Sequence, residues 1–289
     1  MDLDAAITFV TTHARVLERR RLAFLLGDGS SASVIAALDA YRNPDGGYGW
    51  GLEPDLRSAT SQPVGAMHAL EVLAEVGDTS SRGRELCEWL AANSRPDGGV
   101  PFALPYADTP GSAPHWSGAD PVTSSLQMTT QLAAQAHRLA RHNDDVAAHP
   151  WLAAATTYCL TAIEQTDTDL QPYELMFAVH FLDAAESNTL LETVTPLVRA
   201  DGPTPVAGGA DGEVLYPLDF TPHPGAASRA FFDPKAIAAD VIRLTDAQQP
   251  DGGWTVSFNA FSPAAALEWR GYATIQAITV LRENTDRPE

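Results

Sequence analysis

Apolar residues recur along this chain at helical rather than strand spacing. The stretches 63–76, 121–140, 172–185 and 263–282 carry Ala, Leu, Met, Val and Phe around most of their circumference, the pattern of helices buried on all sides. The stretches 82–93, 150–164, 187–199 and 234–249 are amphipathic, which suits helices with one face to solvent. Segment 1–42 adds two more helices, broken at Gly27-Asp28-Gly29. Alternation of the two kinds predicts an inner ring of helices walled in by an outer ring. Residues 200–233 interrupt the alternation: they are rich in proline and hold no stretch long enough for an inner helix. The expected double ring is incomplete at that sector.

One phrase, repeated three times, punctuates the pattern: Pro44-Asp45-Gly46-Gly47, Pro96-Asp97-Gly98-Gly99 and Pro250-Asp251-Gly252-Gly253. Proline stops a helix, aspartate caps free amides, and a glycine accepts positive φ, so each phrase ends a helix in a tight turn. Leu38, Leu90 and Leu244 each stand four residues before Arg42, Ser94 and Gln248, one helical turn back on the same face. Downstream, Gln62-Pro63, Asp120-Pro121, Gln171-Pro172 and Ser262-Pro263 place a polar residue and a proline where N-cap and N1 belong. The repeat is therefore a helix, a turn, a loop and a proline-started helix. Residues 1–289 are expected to form one all-α domain, an α/α-toroid.

Composition narrows the function. Hydrophobic residues make up 45% and charged residues 19% of 289 positions, an ordinary globular balance, and the net charge is −19. Such a surface repels phosphate backbones and anionic membranes, so no nucleic-acid partner is expected. No apolar run is long enough for a transmembrane segment, and Met1-Asp2-Leu3-Asp4 opens no signal peptide, so a cytoplasmic location is expected. Cys87 and Cys159 lie in helical stretches, apart from any Cys-x-x-Cys pair, and read as buried apolar residues. The histidines show no ligand spacing, and phosphate loops, dinucleotide fingerprints and nucleophile elbows are absent. Neither a metal nor a cofactor is expected.

The repeats resemble the terpenoid cyclase and protein prenyltransferase superfamily, squalene-cyclase-like proteins above all. The resemblance lies in the QW repeat of that superfamily. Leu244, Gln248, Gly252 and Trp254 match it; Trp89, Leu90 and Gly98 match a second copy, with Ser94 and Val100 in place of Gln and Trp. Leu38, Gly46 and Tyr48 match a third, with Arg42 for Gln. The resemblance implies an aromatic-lined central cavity and an enzyme of isomerase or lyase type acting on an isoprenoid through a carboxylic acid. The superfamily's chemical motifs do not match. Asp167-Thr168-Asp169-Leu170 lacks the last residue of Asp-x-Asp-Asp, no Asp-x-Cys occurs, and Asp144-Asp145 is not followed by the third aspartate of Asp-Asp-x-x-Asp. No catalytic residue is carried over.

The residues themselves suggest candidates. Loops entering the inner helices should converge on one mouth. The first brings Tyr48, Trp50, Glu53, Asp55 and Arg57; the second brings Phe102, Tyr106, His115, Trp116 and Asp120. Each set either lines a ligand mouth or merely packs its loop, and Asp120 reads foremost as a helix cap. Glu174 is an acid on an inner helix or a capping carboxylate behind Gln171; His180, on the same helix, reads as a buried hydrogen-bonded histidine. Glu268, Trp269 and Tyr272 form either a cavity face or, with Arg270, an ion-paired seam. The expected catalytic set is Glu174, Glu53, Asp55 and Glu268. The expected ligand wall is Tyr48, Trp50, Tyr106, His115, Trp116, Trp269 and Tyr272, around a hydrophobic small molecule. Three functions remain open: an isoprenoid enzyme using cation–π stabilisation, a non-catalytic interaction or assembly module, and a carbohydrate-active barrel with paired carboxylates.

Overall fold

The computed structural model describes residues 1–107, 109–166 and 170–285, which are mostly helical. The first third holds α1 (Leu3–His13), α2 (Val16–Leu25), α3 (Ser31–Leu38), α4 (Pro63–Glu75) and α5 (Arg82–Asn93). The middle holds α6 (Pro114–Ser117), α7 (Leu126–Ala140), α8 (Asp144–Ala147), α9 (Pro150–Gln165) and α10 (Pro172–Ala184). The remainder holds α11 (Asn188–Val194), α12 (Pro217–Phe220), α13 (Pro234–Asp246) and α14 (Pro263–Thr285). A two-stranded hairpin, β1 (Thr204–Pro205) against β2 (Val214–Leu215), precedes α12. Among the described residues no helix is long and apolar enough to cross a membrane.

Proline starts α4, α9, α10, α13 and α14, where its missing N–H costs nothing. Pro121 does not start α7. Asp120 instead folds a local turn, accepting from Val122 N–H at 2.8 Å and Thr123 Oγ1 at 2.5 Å. The Ser124 hydroxyl is held by Asp97 at 2.6 Å, so the helix begins only at Leu126 behind the Ser125 cap. Segment 1–42 forms three helices rather than two. The extra break falls at Ala14, whose backbone is extended, and the following Arg15 reaches the Gly51 and Leu52 carbonyls at 3.2 and 3.0 Å. No glycine or proline announces that break; a contact with a distant loop makes it. Residues 200–233 contain the hairpin and the four-residue α12, and no full inner helix.

The three Pro-Asp-Gly-Gly turns are built alike. Gly46, Gly98 and Gly252 have φ of 89°, 91° and 92°. In each turn the aspartate carboxylate accepts from the second glycine's N–H, at 2.9, 3.0 and 3.2 Å. Each turn then seats on another helix. A Cβ on the first glycine would lie 3.2 Å from Glu85 O in α5, 2.7 Å from Ala154 O in α9 and 2.2 Å from Ala5 O in α1. The second glycine lies under an aromatic residue four positions further along the same helix: Trp89, Tyr158 or Phe9. The turn near residue 252 thus docks on α1, at the other end of the chain. Gln248 completes that joint, accepting from Asp2 N–H and donating to Asp2 C=O, both at 2.7 Å.

Packing follows the same order. α2 contacts α3, then α4, α7, α10, α12, α13 and α14 follow in succession, and α14 returns to α2. The apolar core has two parts. The larger runs from Leu17 of α2 through α3–α11 to Phe220 of α12, and the smaller joins α1, Leu22 of α2, α14 and Trp254, which is 2% exposed.

Two glycine substitutions separate backbone strain from close approach. Gly27 has φ of 84° and faces open space where a Cβ would stand, so Gly27→Ala should cost only about 1 kcal/mol of left-handed strain. Gly252→Ala adds an overlap with the α1 backbone and should cost at least about 2 kcal/mol more. Urea unfolding of both variants measures the difference; equal losses would exclude the docking role of Gly252.

Candidate functional site

Helices α4, α7, α10 and α14 surround a cavity of about 720 Å³. Each helix presents one face to it. Val64, Met67, His68 and Glu71 come from α4; Tyr173, Phe177 and His180 from α10; Trp269, Tyr272 and Gln276 from α14. These spacings of three and four residues are those of one helical stripe. α7 contributes Gln127, Met128, Gln131, Ala134, Gln135 and Arg138. Loops add Glu53, Asp55, Phe102 and Phe258, the short helix α6 adds His115 and Trp116, and the hairpin adds residues 208–210 and Glu213. Glu213 draws the hairpin tip inward: it accepts from the Tyr173 hydroxyl at 2.5 Å and Ala210 N–H at 2.7 Å.

A charged cluster forms one wall. His68 lies between two carboxylates, with Nε2 2.9 Å from Glu53 Oε2 and Nδ1 3.5 Å from Glu71 Oε2. Burial by itself would lower the His68 pKa, but the two carboxylates outweigh it and hold the imidazole protonated up to about 9. Glu71 also accepts from Arg21 at 3.1 Å, from the Tyr272 hydroxyl at 3.2 Å and from Gln276. Burial would raise Glu71; the Arg21 charge and the His68 bond overcome it and hold its pKa at about 2. The Tyr272 hydroxyl is pushed well above 10 by burial and by the Glu71 charge. Asp55 has a different task. Its two oxygens accept from Phe261 N–H at 2.7 Å and Trp269 Nε1–H at 2.8 Å, tying the first loop to the last. On the opposite wall His180 donates from Nε2 to Asp219 C=O at 2.7 Å. Burial and the neighbouring Arg138 charge push its pKa down to about 3, so the ring is neutral.

Aromatic rings line much of the remaining wall. Phe102 and Trp116 stack with centroids 4.9 Å apart, Phe258 meets Trp269 edge-on at 5.1 Å, and Trp269 meets Tyr272 edge-on at 5.5 Å. Trp116 Nε1–H is buried and has no partner among the described residues.

Six of the residues expected at a site do line this cavity: Glu53, Asp55, His115, Trp116, Trp269 and Tyr272. Five lie elsewhere. Tyr48 is fully buried in the core beneath the first turn, and Tyr106 packs half-buried against the same core. Trp50 is 60% exposed; its φ of 57° turns the indole outward, where Nε1–H donates to Asn43 Oδ1 at 2.8 Å. Glu174 caps α10, accepting from Gln171 N–H at 3.3 Å. Glu268 pairs with Arg57 at 2.7 Å and lies 3.9 Å from Arg15. Asp167, Thr168 and Asp169 lie outside the described residues. His68, Glu71 and Arg138 escaped the sequence reading although a signal existed. His68 and Glu71 are the only polar residues in 63–73, and Gln127, Gln131, Gln135 and Arg138 stripe one face of a helix read as apolar around most of its circumference. Among the described residues no group of three His, Cys, Asp or Glu is placed to hold a metal ion.

No family model matches the sequence, and no curated protein matches it. The chain is similar in structure to a protein from Actinoplanes known from a crystal structure. That likeness has a TM-score of 0.52 and 18% identity, and covers 96% of this chain and 88% of the other. It speaks to the fold alone.

The His68 cluster sets a pH dependence. Its folded pKa of about 9 lies above the ordinary 6.5, so its stabilisation is complete below pH 6.5 and is lost as pH rises through 9. Glu71 acts oppositely, stabilising above 4.5 and losing that contribution as pH falls towards 2. Unfolding by urea across pH 6.5–9 should show a decline of up to about 3 kcal/mol, and His68→Gln should flatten it. The same slope in both proteins would remove His68 from the account.

Proposed function

We propose that the chain is an α/α-toroid of the terpenoid cyclase kind whose central cavity binds a largely apolar, isoprenoid-sized molecule. The observation that carries this reading is the cavity itself: about 720 Å³, framed by four helices and lined by Phe102, Trp116, Phe177, Phe258, Trp269 and Tyr272. That volume is in the range of small-molecule sites, and its aromatic walls suit an apolar body.

Acid chemistry on an alkene asks for a carboxyl that keeps its proton. Of the four expected acids only Glu53 and Asp55 reach the cavity. Asp55 accepts two N–H groups and Glu53 is bonded to His68, so neither presents a free proton donor to the cavity. The proton at the wall belongs to His68, and a group that keeps it to about pH 9 is too weak an acid for an unactivated alkene. Both carboxylates are already taken up by donors of the chain itself. These pairings favour binding, without alkene protonation, as the activity of this cavity.

Thermal unfolding with farnesol, squalene or maltohexaose tests the proposal. Saturation at about a hundred times Kd stabilises by about 2.7 kcal/mol, which for a chain of this size raises Tm by roughly 5–10 °C. Farnesol or squalene should give this shift and maltohexaose none. A shift from maltohexaose alone, or from none of the three, would overturn it.

A further inference from the structure

Arg138 stands apart from the other cations of this region. Arg21 is held by Glu71 and Glu75 at 3.1 and 2.6 Å, and His68 by Glu53 and Glu71. Arg138 lines the cavity in the last turn of α7, and its one hydrogen bond among the described residues is to Gln135 Oε1 at 3.3 Å. The charged groups around it are Glu71, Asp183, Arg141 and the neutral His180. Neither carboxylate is available. Glu71 already serves Arg21, His68, Tyr272 and Gln276, and Asp183 accepts Ser228 N–H at 3.0 Å and its hydroxyl at 2.5 Å. Burial disfavours the charged form of Arg138, and Glu71 and Asp183, neither of them paired with it, offset that only in part. A guanidinium that lines a cavity with no carboxylate paired to it is a ready site for an anion.

The same helix face turns two further polar groups to the cavity. The side-chain amides of Gln127 and Gln131 have no hydrogen-bond partner among the described residues, although Gln131 is only 8% exposed. From Gln127 to Arg138 the helix rises about 16 Å, with Phe177 and Trp116 among the other cavity walls. This is a polar stripe ending in a positive charge beside aromatic walls.

We infer that Arg138 anchors the head group of the cavity's ligand, and that this ligand is a monocarboxylate with an apolar body. The inference rests on the proposed reading that the cavity takes an apolar small molecule. A planar guanidinium matches a carboxylate through two parallel N–H···O bonds. A diphosphate fits badly, because the remaining wall bears Glu53, Asp55, Glu71 and Glu213, and one guanidinium cannot balance several added charges.

Calorimetric titration with dodecanoate, methyl dodecanoate, dodecyl phosphate and farnesyl diphosphate tests it in the intact chain. Dodecanoate should bind roughly tenfold to a hundredfold more tightly than its ester, the range of a charge-assisted pair. In Arg138→Met that ratio should fall to about one, and in Arg138→Lys, which keeps charge without the planar fork, it should lie between. The acid–ester comparison in the unaltered protein stands even if a variant fails to fold. Equal binding of acid and ester would overturn the anchor and leave the cavity reading intact. Binding of neither would overturn both. Tighter binding of dodecyl phosphate or farnesyl diphosphate would overturn the assignment to a single carboxylate.

Discussion

Closure of this fold depends on a close backbone approach between the first glycine of each Pro-Asp-Gly-Gly turn and a carbonyl of another helix. Only a residue without Cβ takes both the positive φ and the proximity, and three turns use it on α5, α9 and α1. The third joins residue 252 to residue 5, so the end of the chain is placed by its beginning. Asp55 makes a parallel joint on the cavity side, holding Phe261 and Trp269 against the first loop. With both joints made, α14 takes its place between α2 and α13, and the cavity acquires its fourth wall.

Glu71 governs the interior of that wall. One carboxylate receives Arg21 from α2, His68 from its own helix, and Tyr272 and Gln276 from α14. A buried ionised carboxylate is tolerable only with donors on nearly every lone pair, and here three helices supply them. The arrangement fixes protonation as well as position. Glu71 stays ionised, His68 stays charged, and Tyr272 keeps its proton. Charge on this wall is satisfied from within, whereas the Arg138 side is not, and that asymmetry gives the cavity a direction.

The sector at 200–233 offsets the loss of an inner helix with a hairpin. Glu213 at its tip bonds Tyr173 of α10, so residues 208–210 cover a space that a helix face covers elsewhere. A hairpin tip meets the cavity with glycine backbone where a helix would present large side chains, which leaves room inside.

Much of the fold was legible in the chain because its causes are local. Proline at N1, glycine in the turns and apolar stripes at helical period act over a few residues, and they mark α5, α10 and α14 closely. The break at Ala14 and the late start of α7 were not legible, since Gly51, Leu52 and Asp97, all far away in sequence, impose them. The candidate site divides the same way. Sequence alone brought forward aromatic and acidic residues on loops and at helix starts, and six of them reach the cavity. It could not say that Trp50 turns outward, that Glu174 caps, or that Glu268 meets Arg57, because each outcome depends on which partner the fold brings near. Nor could it value His68, Glu71 and Arg138. A polar residue in an apolar helix has no role until the facing helix is known, and only packing decided which of these charges found partners and which was left facing open space.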